Sequence, residues 1–296
     1  MIEILAVLPF LIHLLILFLI FLIFVLSLNL SMGYTGLFNL GHIAFFGLGA
    51  YASTMLVLNG FPYLGALLLC GILASLFSLL LSLTSIRLRG DYLAIATLSF
   101  IFISESIALN LKETNGPLGI RSIPRPEIFG IDFVSNDSFF VLAFSLALIT
   151  FLFLKVLIRS KFGLILQSVR DDELASRALG YNVEKIKIIS FAISAFFAGI
   201  AGSLYASYIS FIDPSIFSLQ LLLETLCMLI VGGMASLEGS IIGVLLLTFL
   251  PEPLRFIGFP PTIVGLAREV VFSLLLILIL LIKPKGILGK VGFEVS

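Results

Sequence analysis

The sequence predicts an all-α protein, a polytopic membrane helix bundle of about nine spans, within a range of about eight to ten. Two observations carry this prediction. Hydrophobic residues make up 60% of the 296 positions and charged residues only 11%, which leaves too little polar surface for a soluble domain. Apolar runs of roughly 20 residues recur along the chain, and each is long enough to cross a hydrocarbon core of about 30 Å as a helix. We expect residues 1–296 to form a single transmembrane domain.

The apolar runs give the predicted spans in chain order. They lie near residues 4–28, 37–58, 64–86, 92–111, 138–158, 188–208, 219–231, 241–257 and 263–282. The first run is too long for a signal peptide and lacks a small-residue cleavage site, so we expect a retained helix. The stretch 29–61 is rich in glycine for a spanning helix, which predicts a broken helix or a re-entrant turn.

The distribution of basic residues predicts the orientation. If residues 159–187, here called the polar island, and the lysines after the last span are cytoplasmic, parity places Arg87 and Arg89 inside as well. Twelve of the 17 Lys and Arg residues then lie on the cytoplasmic side, as the positive-inside rule requires. The chain would then start outside, although residues 1–86 contain no Lys or Arg that fixes this end.

The polar island has helical patterning of its own, which a plain connector between two membrane helices would not need. Asp171 or Asp172 is a good N-cap for a short helix, and Gly180 suits the position just after its end. Glu173 and Arg177 have the spacing of an i,i+4 ion pair. One face of this helix would be small and apolar, formed by Leu174, Ala175, Ala178 and Leu179.

Two kinds of partner fit such a helix. An amphipathic helix can rest on lipid headgroups, or its apolar face can enter a groove on another protein. The three consecutive acidic residues 171–173 would be repelled by an anionic membrane surface, which favours docking of a protein.

A second polar segment, residues 112–137, is here called the proline-rich loop. It contains Pro117, Pro124 and Pro126 together with charges of both signs. It is too polar for lipid and too rich in proline for one long helix. We expect it outside the membrane, where it could receive an external delivery protein, cover a pathway mouth or serve as an ordinary connector.

The sequence contains no recognisable catalytic or nucleotide-binding motif. The stretch 286–291 lacks the spacing of a Walker A motif and its Ser or Thr, and HExxH and GxSxG are absent. Cys70 and Cys227 lie in apolar segments, where packing roles are expected. No basic run resembles a nucleic-acid patch. We therefore expect no enzyme, no cofactor, no metal site and no nucleic-acid partner.

Polar residues inside predicted spans are candidates for function, because they are costly there. His13 stands among Leu, Ile and Phe, which favours packing or an interhelical hydrogen bond. His42 lies near Asn39 in the glycine-rich segment, which could line a translocation pathway or simply allow close helix packing. Glu105 should face protein or water and could line the pathway. Glu224 lies near the outer surface, where a carboxylate reaches water.

Several motifs follow one another along nearly the whole chain. They are GYTGL, LGH and FFGLGAY within residues 33–51, RLRGDY at 87–92 with AIATL at 94–98, TNGPLGI at 114–120, RDDELAS and LG within 170–180, and KPKGILG at 283–289. Together, in this order, they resemble the LivM-type permease subunits of the branched-chain amino acid ABC importer family.

The resemblance implies that the short helix of the polar island contacts an ATP-hydrolysing subunit. The expected coupling residues are Asp171, Asp172, Glu173, Ala175, Ser176, Leu179 and Gly180. Relatives often have alanine where Ser176 stands and serine where Asn39 stands, so the second difference could alter the pathway. The expected pathway residues are Tyr34, Asn39, His42, Gly47, Gly49, Tyr51 and Glu105.

The resemblance also implies a function. The chain would be the permease subunit of an importer for branched-chain amino acids in the cytoplasmic (inner) membrane, working by alternating access. Its partners would be two ATP-binding subunits, a second permease subunit, which favours a heterodimer, and an external substrate-binding protein. Related permeases carry urea or sugars, so another small solute stays open. An ion-gradient-driven transporter is the other alternative, although paired intramembrane acids or bases would be expected there.

Overall fold

The computed structural model describes residues 2–85, 91–128, 130–253 and 261–290, which contain eleven α-helices and four two-residue strands. The helices are α1 (Ile2–Asn29), α2 (His42–Leu58), α3 (Tyr63–Ser85), α4 (Asp91–Asn110), α5 (Asn136–Arg159), α6 (Lys161–Asp171), α7 (Glu173–Ala178), α8 (Val183–Ile209), α9 (Leu219–Gly232), α10 (Leu237–Phe249) and α11 (Pro261–Ile282). The strands are β1 (Ile120–Arg121), β2 (Glu127–Ile128), β3 (Ile131–Asp132) and β4 (Phe211–Ile212).

The helices confirm the predicted all-α membrane fold. Five of them are long and apolar enough to cross a membrane, and four shorter apolar helices accompany them. Large apolar side chains stay exposed on the bundle surface, such as Leu80 on α3 at 62% and Val156 on α5 at 71%. A surface of this kind suits contact with lipid. The chain is a multi-pass membrane protein, and the count of about nine spans stays a prediction.

The predicted interruption of the glycine-rich region is present, but the second helix starts later than expected. After α1, residues Leu30–Tyr34 form a π-helical turn, and residues 36–39 have no regular structure before α2 begins at His42. The predicted start at residue 37 is therefore wrong, because the chain runs irregularly through the bundle interior first. We call residues 30–41 the break. Arg87, Arg89 and the predicted end of the eighth span lie outside the described residues.

The centre of the bundle is built on close backbone contact between α2 and α8. A Cβ atom added at Gly49 would lie 2.3 Å from the Cα of Gly199, and one at Gly202 would lie 1.9 Å from the carbonyl oxygen of Phe46. Within a bilayer, helices gain little from hydrophobic burial, so association depends on close packing of small residues. The glycines of this segment thus hold α2 and α8 together.

The two ends of the bundle are distinguished by the contacts between α1 and α8, which run antiparallel. Near the start of α1, His13 Nδ1 lies 2.6 Å from the Tyr208 hydroxyl, an interhelical hydrogen bond of the kind the sequence suggested. Arg125 of the proline-rich loop lies above the same tyrosine ring. At the other end, Thr35 Oγ1 lies 2.6 Å from Ser190 Oγ. The first end is called the loop end and the second the island end.

At the loop end, short strands tie the proline-rich loop to the end of α8. Strand β1 pairs antiparallel with β4, which follows α8, and the Ile123 N–H donates to the Ser210 carbonyl at 3.3 Å. Strands β2 and β3 pair with each other. The loop is ordered by these ladders and contains no long helix among its described residues, as its prolines predict.

At the island end, Asn29 fastens the turn between α9 and α10. Its Nδ2 donates to the Ser236 carbonyl at 2.9 Å and to Ser240 Oγ at 2.7 Å, and its Oδ1 accepts from the Ala235 N–H at 2.9 Å. The side chain is fully buried, so each of these bonds satisfies a group that water cannot reach. Residues 287–290 lie beside this turn, and the Ile287 N–H donates to the Val231 carbonyl at 3.0 Å.

Gly49→Ala tests the packing role of the central glycines. The added methyl must displace the backbone of Gly199, and overpacking of this kind costs about 1–3 kcal/mol, so the detergent-solubilised protein should unfold at a lower temperature. The control is Gly265→Ala in α11, where a Cβ would meet nothing within 4 Å. Equal unfolding temperatures for the two variants would contradict the packing role.

Candidate functional site

Helix α7 of the polar island is closed at both ends, as the sequence predicts. Asp172 is the N-cap, and its Oδ1 accepts from the Ala175 N–H at 2.9 Å. At the other end Gly180 has φ +87°, a conformation that favours glycine. The Gly180 N–H donates to the Arg177 carbonyl and the Tyr181 N–H to the Ser176 carbonyl, which is a Schellman motif. These caps define a helix too short to be stable from propensity alone.

One side of α7 is open and apolar. Leu174 is 67% exposed and Leu179 is 73% exposed, and Ala175 and Ala178 are exposed as well. Ser176 departs from the expectation that it contributes to this face, because it is fully buried. Its hydroxyl lies 2.8 Å from Ser168 Oγ on α6, so Ser176 holds α7 against α6 and cannot touch a partner in this conformation.

Ion pairs fasten α7 to the start of α8. Glu173 pairs with Lys187, whose side chain is only 8% exposed, and Arg177 lies 3.9 Å from Glu184. The sequence suggested a Glu173–Arg177 pair, whereas the structure gives each of them a partner on α8. Because Lys187 is nearly buried, the Glu173 pair is less screened by solvent than the exposed Arg177 pair. The two pairs therefore connect α7 to the first turns of α8.

A buried polar cluster lies where the break meets α2. Asn39 Nδ2 lies 3.2 Å from His42 Nδ1, and His42 Nε2 lies 2.8 Å from Ser27 Oγ on α1. The Ser27 hydroxyl donates to the Phe24 carbonyl at 2.7 Å. Since Asn39 donates to Nδ1, the ring carries its proton on Nε2 and donates to Ser27. The chain of donors thus links the break to α1.

The other predicted pathway residues are closed off in this conformation. Tyr34 and Tyr51 are each 5% exposed. A Cβ at Gly47 would lie 2.2 Å from the Phe217 ring, and that ring stacks on Tyr51. Gly49 is packed on Gly199 in the same way. These glycines allow close packing here, and their place along a pathway stays a prediction.

Glu105 is separate from this group. It is partly exposed on α4, about 12 Å along the helix from Thr97 at 1.5 Å per residue. Thr97 is the α4 residue that touches the break, accepting from the Leu40 N–H at 3.1 Å. The structure therefore brings Asn39 and His42 together, and Glu105 lies apart from them on α4.

Three residues that the sequence did not single out are important at the island end: Arg170, Lys187 and Asn29. Each is a polar side chain that is largely or fully buried. A polar residue at the edge of an apolar run was the signal available for Asn29 and Lys187. The partners of Asn29 are distant in sequence, whereas Lys187 pairs with Glu173 of the same polar island. Arg170 bonds to a main-chain carbonyl 137 residues away, for which no sequence signal exists.

The fold and site define a class: a polytopic α-helical membrane protein that presents a short capped helix with an exposed apolar side at one end of its bundle. Residues 10–282 match the family described as branched-chain amino acid transport system, permease component. The chain belongs to this family.

Individual relatives agree with the family assignment. The chain is 33% identical to the high-affinity branched-chain amino acid transport system permease protein LivM of Escherichia coli K12, over 89% of this chain and 66% of that protein. It is 28% identical to a probable branched-chain amino acid transport permease protein LivM of Methanocaldococcus jannaschii, covering 90% and 89%. It is 25% identical to the permease protein LivH of E. coli K12, covering 90% and 92%. No solved structure matches the chain.

The length of the match differs among these relatives. The chain spans only 66% of the E. coli LivM protein and 66% of its Salmonella typhimurium counterpart, but 89% of the M. jannaschii protein. The bundle described here thus corresponds to most of the shorter relative.

Asp172→Ala tests the local stability of α7. Loss of the N-cap bond costs about 1 kcal/mol, so amide hydrogens of α7 should exchange about fivefold faster, as measured by hydrogen exchange with mass spectrometry. Asp171→Ala is the matched control, because Asp171 is 65% exposed and its carboxylate pairs with Arg170 in α6 instead of capping α7. Asp172→Ser should restore slow exchange. Equal exchange in both alanine variants would mean that the cap does not hold the helix.

Proposed function

We propose that this protein is the permease subunit of an ATP-driven importer for branched-chain, hydrophobic amino acids in the cytoplasmic (inner) membrane. Membership of the permease family supports the transport role, and the names of the LivM and LivH relatives support the substrate class. ATP hydrolysis in separate ATP-binding subunits would supply the energy for transport. The permease itself is not an enzyme in this proposal.

The observation that carries the proposal is the exposed apolar side of α7. Leu174 and Leu179 are more than two thirds exposed on a helix that is capped at both ends and fastened to α8 by the Glu173–Lys187 pair. Exposed leucines on a rigid, polar-flanked helix are typical of a docking surface. We propose that an ATP-binding subunit receives this helix, which places the island end in the cytoplasm and the loop end outside.

A second permease subunit would complete the pathway. Both LivM and LivH of E. coli K12 are named as permease proteins of the branched-chain amino acid transport system, and this chain is similar to both. Two related subunits can enclose a pathway between them with near-twofold symmetry. The proposed assembly is a heterodimer of permeases with two ATP-binding subunits, and an external substrate-binding protein delivers the amino acid to the loop end.

The transport mechanism follows from these contacts. The polar cluster of Asn39, His42 and Ser27 is fully buried, so the conformation described here is closed around it. Alternating access needs at least one further conformation of similar free energy, whose population nucleotide binding can shift. Force on α7 would reach α8 through Glu173, and α8 is the helix on which α2 packs through its glycines.

Uptake by the complete complex in proteoliposomes tests the energy source. With no ion gradient, radiolabelled leucine should accumulate only when ATP is present on the side of the ATP-binding subunits. The control omits ATP and imposes a proton or sodium gradient. Uptake that ignores ATP and follows the ion gradient would overturn the importer proposal in favour of a secondary transporter.

Leu179→Ser tests the docking surface. Burial of a leucine side chain contributes about 1.5–3 kcal/mol, so the variant should retain roughly one tenth or less of the ATP-binding subunits during copurification. Leu118→Ser is the matched control, since Leu118 is 71% exposed, against 73% for Leu179, but lies in the proline-rich loop at the opposite end. Equal retention by both variants would exclude α7 as the contact.

A further inference from the structure

Arg170, in the last turn of α6, reaches from the polar island into the break. Its Nη1 donates to the carbonyl oxygen of Gly33 at 3.1 Å. The Nε atom donates to Asp171 at 2.8 Å, and the Arg170 side chain is 13% exposed. A guanidinium presents donors in a fixed plane, so the side chain holds the break and the end of α6 in one geometry.

The break is shaped around the stem of Arg170. Gly36 has φ +73°, and a Cβ at this position would lie 2.8 Å from Arg170 Cγ. A residue with a side chain would be strained by that φ value and would also press on the arginine. The backbone of the break at Gly36 thus packs directly against the side chain of Arg170.

Helix α6, which carries Arg170, is joined to α7 by two contacts. Asp172, two residues further on, is the N-cap of α7, and Ser168 on α6 bonds to the buried Ser176 of α7. A push on the exposed side of α7 thus displaces Arg170 as well, since both cap and hydrogen bond link the two helices.

From the break, contacts spread to three membrane helices. Thr35 bonds to Ser190 on α8, the Leu40 N–H donates to Thr97 on α4, and Asn39 bonds to His42 at the start of α2. The Asn39 Oδ1 atom is buried and has no hydrogen-bond partner among the described residues. A buried unpaired acceptor is costly, so the break is a place where a change of conformation could gain a hydrogen bond.

We propose that Arg170 is a positioning residue that carries the displacement of the docking helix α7 into the break, and through it to α2 and α4. This inference rests on the proposed function, because the force on α7 comes from the ATP-binding subunits. It gives the island two separate connections to the bundle. Glu173 acts on α8, and Arg170 acts on the irregular segment beside the polar cluster.

Arg170→Met in the complete reconstituted complex tests this role. Methionine keeps an unbranched stem beside Gly36 and lacks the donors to Gly33. ATP hydrolysis should keep its wild-type rate, while leucine uptake per ATP should fall roughly tenfold. Arg170→Lys keeps the stem and the charge but has a single ammonium in place of the planar guanidinium. Its leucine uptake per ATP should lie between those of the wild type and Arg170→Met. Lys161→Met, which removes an exposed charge at the start of the same helix, should behave as wild type.

Hydrogen exchange separates positioning from a merely structural role. ATP should change exchange in the break of the wild-type complex, and in Arg170→Met this response should be lost while α7 stays protected by the ATP-binding subunits. Wild-type ratios of uptake to hydrolysis in both variants would overturn the inference, and so would a proportional loss of both rates. If Arg170→Met does not assemble into the complex, the ratio of leucine uptake to ATP hydrolysis is measured in Arg170→Lys. A lowered ratio then supports the inference, and a wild-type ratio overturns it. A wild-type complex whose uptake ignores ATP would overturn the proposed function itself, which is a distinguishable result.

Discussion

The interruption of the first helix at residues 30–41 is the constraint on which the rest of the structure depends. Where a helix stops inside an apolar bundle, its backbone N–H and C=O groups must find partners in the protein, because lipid offers none. Part of the need is met locally, as when the Leu37 N–H donates to the Ser31 carbonyl at 2.9 Å. The rest is met by Thr97, Arg170 and the neighbouring side chains of other helices. Thr97 in α4 and Ser190 in α8 are polar residues of apolar helices that this need explains.

The contact between α2 and α8 and the contacts of the polar island differ in how easily they can rearrange. The α2–α8 contact is backbone against backbone through Gly49, Gly199 and Gly202, and such a contact has no side chain that could rearrange. The polar island, in contrast, adds to the buried apolar side chains Leu166 and Val169 polar contacts such as that of Arg170, whose bonds can be exchanged for others. Packed helices tend to move as rigid units about a few joints, and the break has the irregular backbone that such a joint needs.

Sequence patterns predicted the parts that depend on local chemistry. Apolar runs located the helices, and Asp172 and Gly180 were identified as caps because capping uses neighbouring residues. Patterns did not predict features set by tertiary contact. Ser176 shares a helix with the exposed leucines, yet the packing of α6 buries it. Gly47 and Gly49 were expected along a pathway, but the approach of Phe217 and Gly199 decides their surroundings. Arg170 begins one of the family motifs, but its contact could not be predicted, because its partner is a main-chain carbonyl far away in sequence.

Helix α8 extends without interruption for 27 residues, about 40 Å at 1.5 Å per residue, from the Lys187 ion pair to the ladder between β4 and the proline-rich loop. Helix α8 therefore connects the island end of the bundle to the loop end. If a ligand at one end shifts α8 and thereby alters the affinity for a ligand at the other end, thermodynamic linkage makes the two effects equal in size. In the proposed importer, substrate delivered at the loop end and nucleotide bound beyond the island end would then influence each other through α8.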